Sequence, residues 1–163
     1  MKILFLQTGG TIDKDYPHSS NGWAFEIHEP AVKRIIQKLN PSFQYKIESV
    51  FKKDSLEIND KDRELLLASC KNANEDKIII THGTDTIMDT AAFLRNIPNK
   101  TIVLTGAMRP EKFTDSDADL NIGMAISGVQ TLPYGVYICM HGIIDHYKQI
   151  DRDSETGKYI IKK

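Results

Sequence analysis

The sequence has few of the features that mark specialised classes of protein. Its 163 residues contain two cysteines and one tryptophan, and no repeat or low-complexity segment interrupts them. Cys70 falls in a helical pattern and Cys139 in a strand pattern, and neither has a metal-ligand spacing with the other or with a nearby histidine. We therefore interpret both as reduced, packed thiols and expect no metal or other cofactor.

An excess of either charge and a long hydrophobic run are also missing. The 21 basic and 22 acidic residues leave a formal charge of −1 and a pI near 6.5. Such a balance does not favour a surface that neutralises many phosphates, so we expect no nucleic-acid partner. The apolar start of MKILFLQTGG is shorter than a signal-peptide core or a membrane span. We expect a cytoplasmic protein with no membrane partner.

Apolar runs alternate regularly with amphipathic stretches along the chain. Strands are predicted at Lys2–Gln7, Phe43–Phe51, Lys77–Ile80, Thr101–Thr105 and Gly135–Met140. Helices are predicted at Pro30–Leu39, from the cap Asn59 to Asn72 with Leu65, Leu66 and Ala68 inward, at Ile87–Ile97 and at Leu120–Val129. Lys158–Lys162 is predicted as a final edge strand. This order indicates one α/β domain over residues 1–163, with a doubly wound, mainly parallel sheet of the Rossmann- or flavodoxin-like three-layer kind.

Two polar turns follow predicted strands without a spacer. Thr8–Ile12 contains two glycines, and Thr81–Thr86 has the sequence THGTDT. Ligands in parallel α/β sheets bind beyond the carboxyl ends of strands, so we expect Thr11 and the pair Thr84–Asp85 to converge on one crevice.

Each turn also has a purely structural interpretation. Asp85 or Thr86 is a good helix cap, and Thr86 with Asp89 resembles a capping box. Thr8–Ile12 is either a plain tight turn or a phosphate loop, although neither G-x-G-x-x-G nor G-x-x-x-x-G-K-[ST] is present.

Three loops complete the predicted carboxyl edge. Asp13–Phe25 is polar, with no regular period, and is either an active-site lid or an ordinary surface loop; Tyr16 is its chemically most capable residue. Lys52–Leu56 contains Asp54 and Ser55. Gly106–Asp119 has alternating aspartates but lacks the glycine and glutamate of a calcium loop, so we expect a solvated loop.

Three motifs in order resemble one known family. TGGTI after the first strand, THGTDT after the third and TGAMRP after the fourth are together similar to the bacterial-type L-asparaginases, amidohydrolases that deamidate asparagine and sometimes glutamine. The resemblance spans most of the chain and implies the fold of the asparaginase N-terminal domain. It also implies that Thr11 is the nucleophile assisted by Tyr16, and that Thr84 and Asp85 are a second catalytic pair.

The same resemblance implies a substrate-binding set and no cofactor. Asp85 would bind the substrate ammonium, and Ser55 would contact the α-carboxylate. The backbone N–H of Gly10 or Gly83 would face the oxyanion that acyl transfer creates.

Three departures from the family pattern bear on activity. Leu56 stands where the family usually has glutamine, and Arg152 aligns with its catalytic lysine, unless Lys148 serves instead. An arginine keeps the charge but does not release a proton usefully. Family members usually have a second domain, so we expect a short single-domain member that forms a homodimer or higher homo-oligomer.

The leading hypothesis is an asparaginase-like amidohydrolase acting on the side-chain amide of asparagine or a related small amide. Two alternatives remain open. One is a non-catalytic module that binds an amino acid or amide, and the other is a subunit whose activity needs a partner chain.

Overall fold

A mainly parallel β-sheet with helices on both faces forms the body of the molecule. The computed structural model describes residues 1–17 and 25–162. The strands in these ranges are β1 (Lys2–Gly9), β2 (Lys14–Asp15), β3 (Glu26–Ile27), β4 (Gln44–Lys53), β5 (Lys77–Thr81), β6 (Thr101–Thr105), β7 (Gly135–Met140), β8 (Ile143–His146), β9 (Ile150–Arg152) and β10 (Tyr159–Ile161). The helices in the same ranges are α1 (Val32–Leu39), α2 (Asp60–Asn72), α3 (Ile87–Phe93) and α4 (Ala118–Thr131).

The main sheet has six strands in the order β4-β1-β5-β6-β7-β8. The first five are parallel, and β8 runs antiparallel to β7 at the edge. This arrangement confirms the predicted three-layer, mainly parallel α/β fold. The prediction for Lys158–Lys162 was wrong in its position, because β10 pairs with β9 in a separate hairpin. The chain turns back at His141 and Gly142, both at positive φ, so that β8 takes the edge position first.

Apolar side chains fill both faces of the central strands. In β1, Ile3 and Phe5 point to the face that α1 and α4 cover, whereas Leu4 and Leu6 point to the face that α2 and α3 cover. This burial on both faces explains the β-branched runs of β5 and β6, which lack any polar alternation. No helix in the described ranges is long and apolar enough to cross a membrane.

One connection in the sheet has the opposite hand to the others. The steps β4-α2-β5 and β5-α3-β6 move across the sheet in one direction with their helices on one face, and β1-α1-β4 moves the opposite way with its helix on the other face. These three steps share one hand. The step β6-α4-β7 moves in the same direction as β5-α3-β6, but α4 lies on the opposite face, beside α1. Since parallel crossovers are right-handed in about 98% of cases, the step through α4 is the left-handed one.

The predicted phase of α2 was partly wrong. Leu66 and Cys70 face the sheet, whereas Leu65 is 51% exposed and Ala68 also lies outward. The predicted cap is confirmed, since the Asn59 side chain accepts hydrogen bonds from two N–H groups of the first turn. Elsewhere α3 is shorter than predicted, and α4 begins two residues earlier than expected.

Candidate active site

The two glycine-containing turns touch through their backbones. Gly9 and Gly10 have φ of 107° and 87°, which turn the chain sharply after β1. A Cβ atom on Gly10 would lie 2.4 Å from the Cα of Gly83. The absence of a side chain on Gly10 allows this approach. Thr11 and Thr84, the next residue in each turn, therefore flank the contact beyond the carboxyl ends of β1 and β5.

Ser55 is buried against the second turn. A Cβ atom on Gly83 would lie 2.6 Å from the Cβ of Ser55, whose residue is only 1% exposed. The Ser55 hydroxyl lies 3.3 Å from both the Oδ2 and the backbone N of Asp85, so it donates to the carboxylate and accepts from the N–H. Asp85 is therefore oriented from two directions by one serine.

The expected capping role of Thr86 was wrong. Thr86 occupies the N-cap position of α3, but its side chain makes no capping hydrogen bond there. Its hydroxyl donates instead to the carbonyl of Ser55 over 2.8 Å. The THGTDT turn therefore uses its last threonine to hold the Ser55 loop, and a helix cap is not its function.

Arg152 supplies the positive charge of the crevice. Its Nη1 lies 3.0 Å from Asp85 Oδ1 and 3.5 Å from the carbonyl oxygen of Thr84, and its Nε donates to the carbonyl of Gly157. Lys148, the alternative cation, lies exposed in a short 3-10 helix, Tyr147–Gln149. Within the described residues, Arg152 is thus the cation that contacts the predicted catalytic pair.

Tyr159 contacts the same groups, although no sequence motif indicates it as a site residue. The residue is 3% exposed, and its hydroxyl donates to the Thr84 carbonyl. The guanidinium of Arg152 lies over its ring, 5.7 Å from the centroid. Burial raises the pKa of Tyr159 to about 12, which keeps the phenol protonated as a donor.

His82 lies behind the second turn and is fully buried. Its Nδ1 lies 2.7 Å from the Gly83 carbonyl oxygen and its Nε2 lies 2.9 Å from the Thr90 hydroxyl. A carbonyl only accepts, so Nδ1 carries the proton and Nε2 accepts from Thr90. Burial lowers the pKa of His82 to about 4, and the ring is a neutral support that fixes the direction of the Gly83 carbonyl.

Tyr16 is not among the groups that meet in the crevice. It is 64% exposed, and its ring lies 5.0 Å from that of Phe25, which in turn contacts Phe113. Most of the predicted lid, residues 18–24, lies outside the described residues. On either side of these residues, the short strands β2 and β3 pair with each other.

Asp13 links the first turn to the chain that follows β3 through hydrogen bonds. Its backbone N–H donates to the Gly10 carbonyl, its carbonyl accepts from His28, and its Oδ1 accepts from the N–H of Ala31 over 2.7 Å. Asp13 is 2% exposed, and no hydrogen-bond partner reaches its Oδ2 within the described part of the chain. Burial raises the pKa of this carboxyl to about 7.

The Gly106–Asp117 loop forms a wall beside the first turn. Its backbone is held by Asp117, whose carboxylate accepts from the N–H groups of Met108 and Arg109. The N–H of Glu111 donates to the Ile12 carbonyl over 3.1 Å. The alternating aspartates of this loop have separate partners, and the described residues contain no group of three or more acidic, histidine or cysteine side chains that could hold a metal ion.

Both cysteines are packed inside the molecule. Cys70 and Cys139 are free and buried on opposite faces of the sheet, as expected for packed thiols. Burial raises the pKa of each thiol to about 12, so neither is a thiolate nucleophile at neutral pH.

A family model described as Asparaginase, N-terminal matches residues 2–153 of the chain. The chain belongs to the asparaginase family. The motifs that suggested this relation are the turns that the structure brings into contact.

Individual relatives of this asparaginase-family chain agree with the assignment. The probable periplasmic L-asparaginase of Haemophilus influenzae is 30% identical over 167 residues, covering 95% of this chain and 47% of that protein. A glutamyl-tRNA(Gln) amidotransferase subunit from Methanobrevibacter smithii is 27% identical, covering 96% and 37%. The thermostable L-asparaginase of Thermococcus kodakarensis superposes with a TM-score of 0.83 at 26% identity, covering 99% and 51%. The chain thus spans about half or less of the length of these relatives.

Proposed function

We propose that the protein is an asparaginase-like amidohydrolase, which hydrolyses the side-chain amide of asparagine or a related small amide to the acid and ammonia. The observation that carries the proposal is the backbone contact of Gly10 with Gly83. It draws two threonine-bearing turns to one crevice, beside a carboxylate that a serine and an arginine orient.

The proposed nucleophile is Thr11. Its hydroxyl oxygen attacks the amide carbon, and the resulting oxyanion is stabilised by backbone N–H groups. The N–H of Gly10 already donates to the Lys53 carbonyl over 3.0 Å, so we assign this role to Gly83. The C–N bond then breaks, the nitrogen takes up the proton of the hydroxyl and leaves as ammonia, and water hydrolyses the acyl ester on Thr11.

The remaining groups bind and orient the substrate in this proposal. Asp85 attracts the ammonium of the amino acid, and Ser55 donates towards its carboxylate. Arg152 holds Asp85 and the Thr84 backbone, while Tyr16 assists proton transfer at Thr11. The support for preorganisation is that Asp85 contacts both Ser55 and Arg152.

Ammonia release from asparagine, glutamine and a panel of other amides tests the nucleophile. We expect Thr11→Ala to lower turnover about 1,000-fold or more, as removal of a covalent nucleophile does. The exposed Thr131 at the end of α4 offers the matched control, Thr131→Ala, which should leave turnover unchanged. Equal turnover in wild type and Thr11→Ala, with both folded by circular dichroism, would sink the assignment.

A binding module is the second candidate, and Arg152 favours it. The cation that contacts the catalytic pair is a guanidinium, which does not act as a base near neutral pH. A binding module would release no ammonia from any amide of the panel. Its melting temperature would nevertheless rise with the concentration of asparagine or aspartate, because ligands stabilise the state that binds them.

A dependent subunit is the third candidate, and the amidotransferase relative favours it. Leu56 and Tyr16, on loops beyond the ends of β4 and β1, are 76% and 64% exposed, which leaves room for a second copy or another chain to close the crevice. Size-exclusion chromatography with light scattering separates these cases. An active homo-oligomer supports self-sufficiency, whereas an inactive monomer supports the need for a partner chain.

A further inference from the structure

Tyr159 is a buried residue that joins several groups at the crevice without a role in the proposed reaction. Its hydroxyl donates to the Thr84 carbonyl, its ring lies beneath the Arg152 guanidinium, and its backbone N–H donates to His141 Nδ1 over 3.0 Å. A tyrosine of this kind is either ordinary core packing or a support for the groups that it contacts. The fold around it distinguishes the two.

The hairpin of β9 and β10 sets Tyr159 and Arg152 side by side. The two residues are directly opposite each other in the antiparallel pair, so their side chains lie on the same face of the hairpin. Ile150, at the start of β9, and Tyr159 itself belong to the buried cluster under α2 and α3. The hairpin is therefore fixed to the core at the same residue that contacts the site.

The hydrogen bond from Tyr159 to Thr84 fixes a second carbonyl of the second turn. The Gly83 carbonyl is held by His82, and the next carbonyl, that of Thr84, is held by the Tyr159 hydroxyl. Two successive peptide planes with fixed carbonyls leave the residue between them little freedom, because each trans peptide is rigid and planar. That residue is Thr84, one of the second catalytic pair that the family resemblance implies.

We propose that Tyr159 is a positioning residue of the active site, whose hydroxyl fixes the Thr84 backbone and whose ring holds Arg152 against Asp85. Its effect on catalysis rests on the proposed amidohydrolase function. Its effect on the placement of Arg152 does not, since the β9–β10 pairing sets the two side chains together.

Tyr159→Phe tests the hydroxyl, because phenylalanine keeps the ring and the packing. The matched control is Tyr137→Phe: Tyr137 is 7% exposed, and its hydroxyl donates to the Pro133 carbonyl over 3.2 Å, at the end of the sheet away from the crevice. We expect similar losses of melting temperature in both variants. Only Tyr159→Phe should lower kcat, by about tenfold, with KM almost unchanged, since a misdirected catalytic group slows the chemical step rather than binding. Equal kcat in the two variants would overturn the role of the hydroxyl.

A second measurement tests the ring and does not depend on turnover. The Arg152 Nε–H, which donates to the Gly157 carbonyl, gives its own signal in a ¹⁵N correlation spectrum of the whole chain. We expect Tyr159→Leu to move this signal, through loss of the ring current, and to speed its exchange with water. An unchanged signal would refute the positioning of Arg152. If the wild type releases no ammonia, the proposed function fails, and this spectrum still decides the role of Tyr159. If Tyr159→Leu does not fold, the kinetics of Tyr159→Phe decide that role.

Discussion

Arg152 gives the crevice a permanent positive charge, because an arginine guanidinium does not act as a base near neutral pH. Its Nη1 contacts Asp85 at 3.0 Å, and its Nε is held by the Gly157 carbonyl. A lysine at this position would keep the charge, and its ammonium can lose a proton when its environment lowers its pKa. In the proposed reaction the guanidinium therefore orients Asp85 but does not take part in proton transfer.

Arg152→Lys is expected to raise ammonia release about tenfold, because a lysine can take part in proton transfer. The gain is smaller than the usual contribution of a general base, because the lysine ammonium lacks the planar guanidinium and loses some of its hydrogen bonds. Steady-state kinetics with the best amide of the panel provide the measurement. The control is Arg95→Lys, at an exposed arginine whose guanidinium donates to a carbonyl of its own turn. A gain in both variants, or in neither, would show that proton transfer at this position does not limit the reaction.

Asp13 makes the stability of the protein depend on pH. Burial raises the pKa of its carboxyl from 3.8 to about 7. The unfolded chain therefore loses this proton at lower pH than the folded protein does. The stabilising contribution is complete below pH 4 and is lost as the pH rises to 7, by up to about 4 kcal/mol.

Asp13→Asn should remove this dependence, because an amide keeps the acceptor for the Ala31 N–H and carries no charge. Urea unfolding at several pH values between 4 and 8 measures the effect. The free energy of unfolding of the variant, relative to wild type, should increase from pH 4 to pH 7 and then level off. The exposed Asp76 provides the control, Asp76→Asn, and a parallel response there would contradict the assignment to Asp13.

At the scale of elements, two turns that touch through bare backbone decide the geometry of the site. In Gly10→Ala the new methyl group would meet the Gly83 backbone at 2.4 Å, and the residue would hold a φ of 87° that L side chains rarely adopt. We expect a loss of about 2–4 kcal/mol in the free energy of unfolding, together with a loss of ligand binding as the turns separate.

Gly123→Ala is the matched control for this change. Gly123 lies within α4, and a Cβ atom there meets nothing within 4 Å. Alanine is the better helix former, so this variant should gain about 0.5–1 kcal/mol. Urea denaturation of both variants checks the pair. If Gly10→Ala and wild type had similar free energies of unfolding, the two turns could separate at little cost, and the expected role of their contact would be wrong.

Elements with a strong local signal could be predicted, and those set by distant contacts could not. Buried β-branched runs indicated the strands of the parallel sheet, and Asn59 indicated the start of α2. The consecutive leucines at 65–67 satisfy more than one helical phase, so local pattern did not determine which of them faces the sheet. The hydroxyl of Thr86 bonds a carbonyl 31 residues away, where a local capping rule has no information.

At the scale of the whole molecule, the order of strands and helices predicted the layers but not the hand of every step. The convergence of Thr11 with Thr84 and Asp85 followed from the rule that parallel strands present their carboxyl ends together. The left-handed step through α4 contradicts a statistical preference and had no sequence signal. It requires the Gly106–Asp117 loop to pass over the carboxyl edge, where Glu111 meets Ile12. Tyr159 reaches the site through the hairpin of β9 and β10, and sequence alone did not reveal this pairing.

The backbone contact between Gly10 and Gly83 also limits how this protein can evolve. A side chain gained at Gly10 collides with the backbone of Gly83, and one gained at Gly83 collides with Ser55. Neither glycine can therefore be replaced by a single substitution while the packing of the two turns is kept. Residues nearer the solvent are free to change, because Leu56 is 76% exposed and Arg152 lies on a hairpin beside solvent. New specificities are therefore expected from changes at these exposed residues, while Thr11 and Thr84, the proposed reacting residues, stay beside the two glycines.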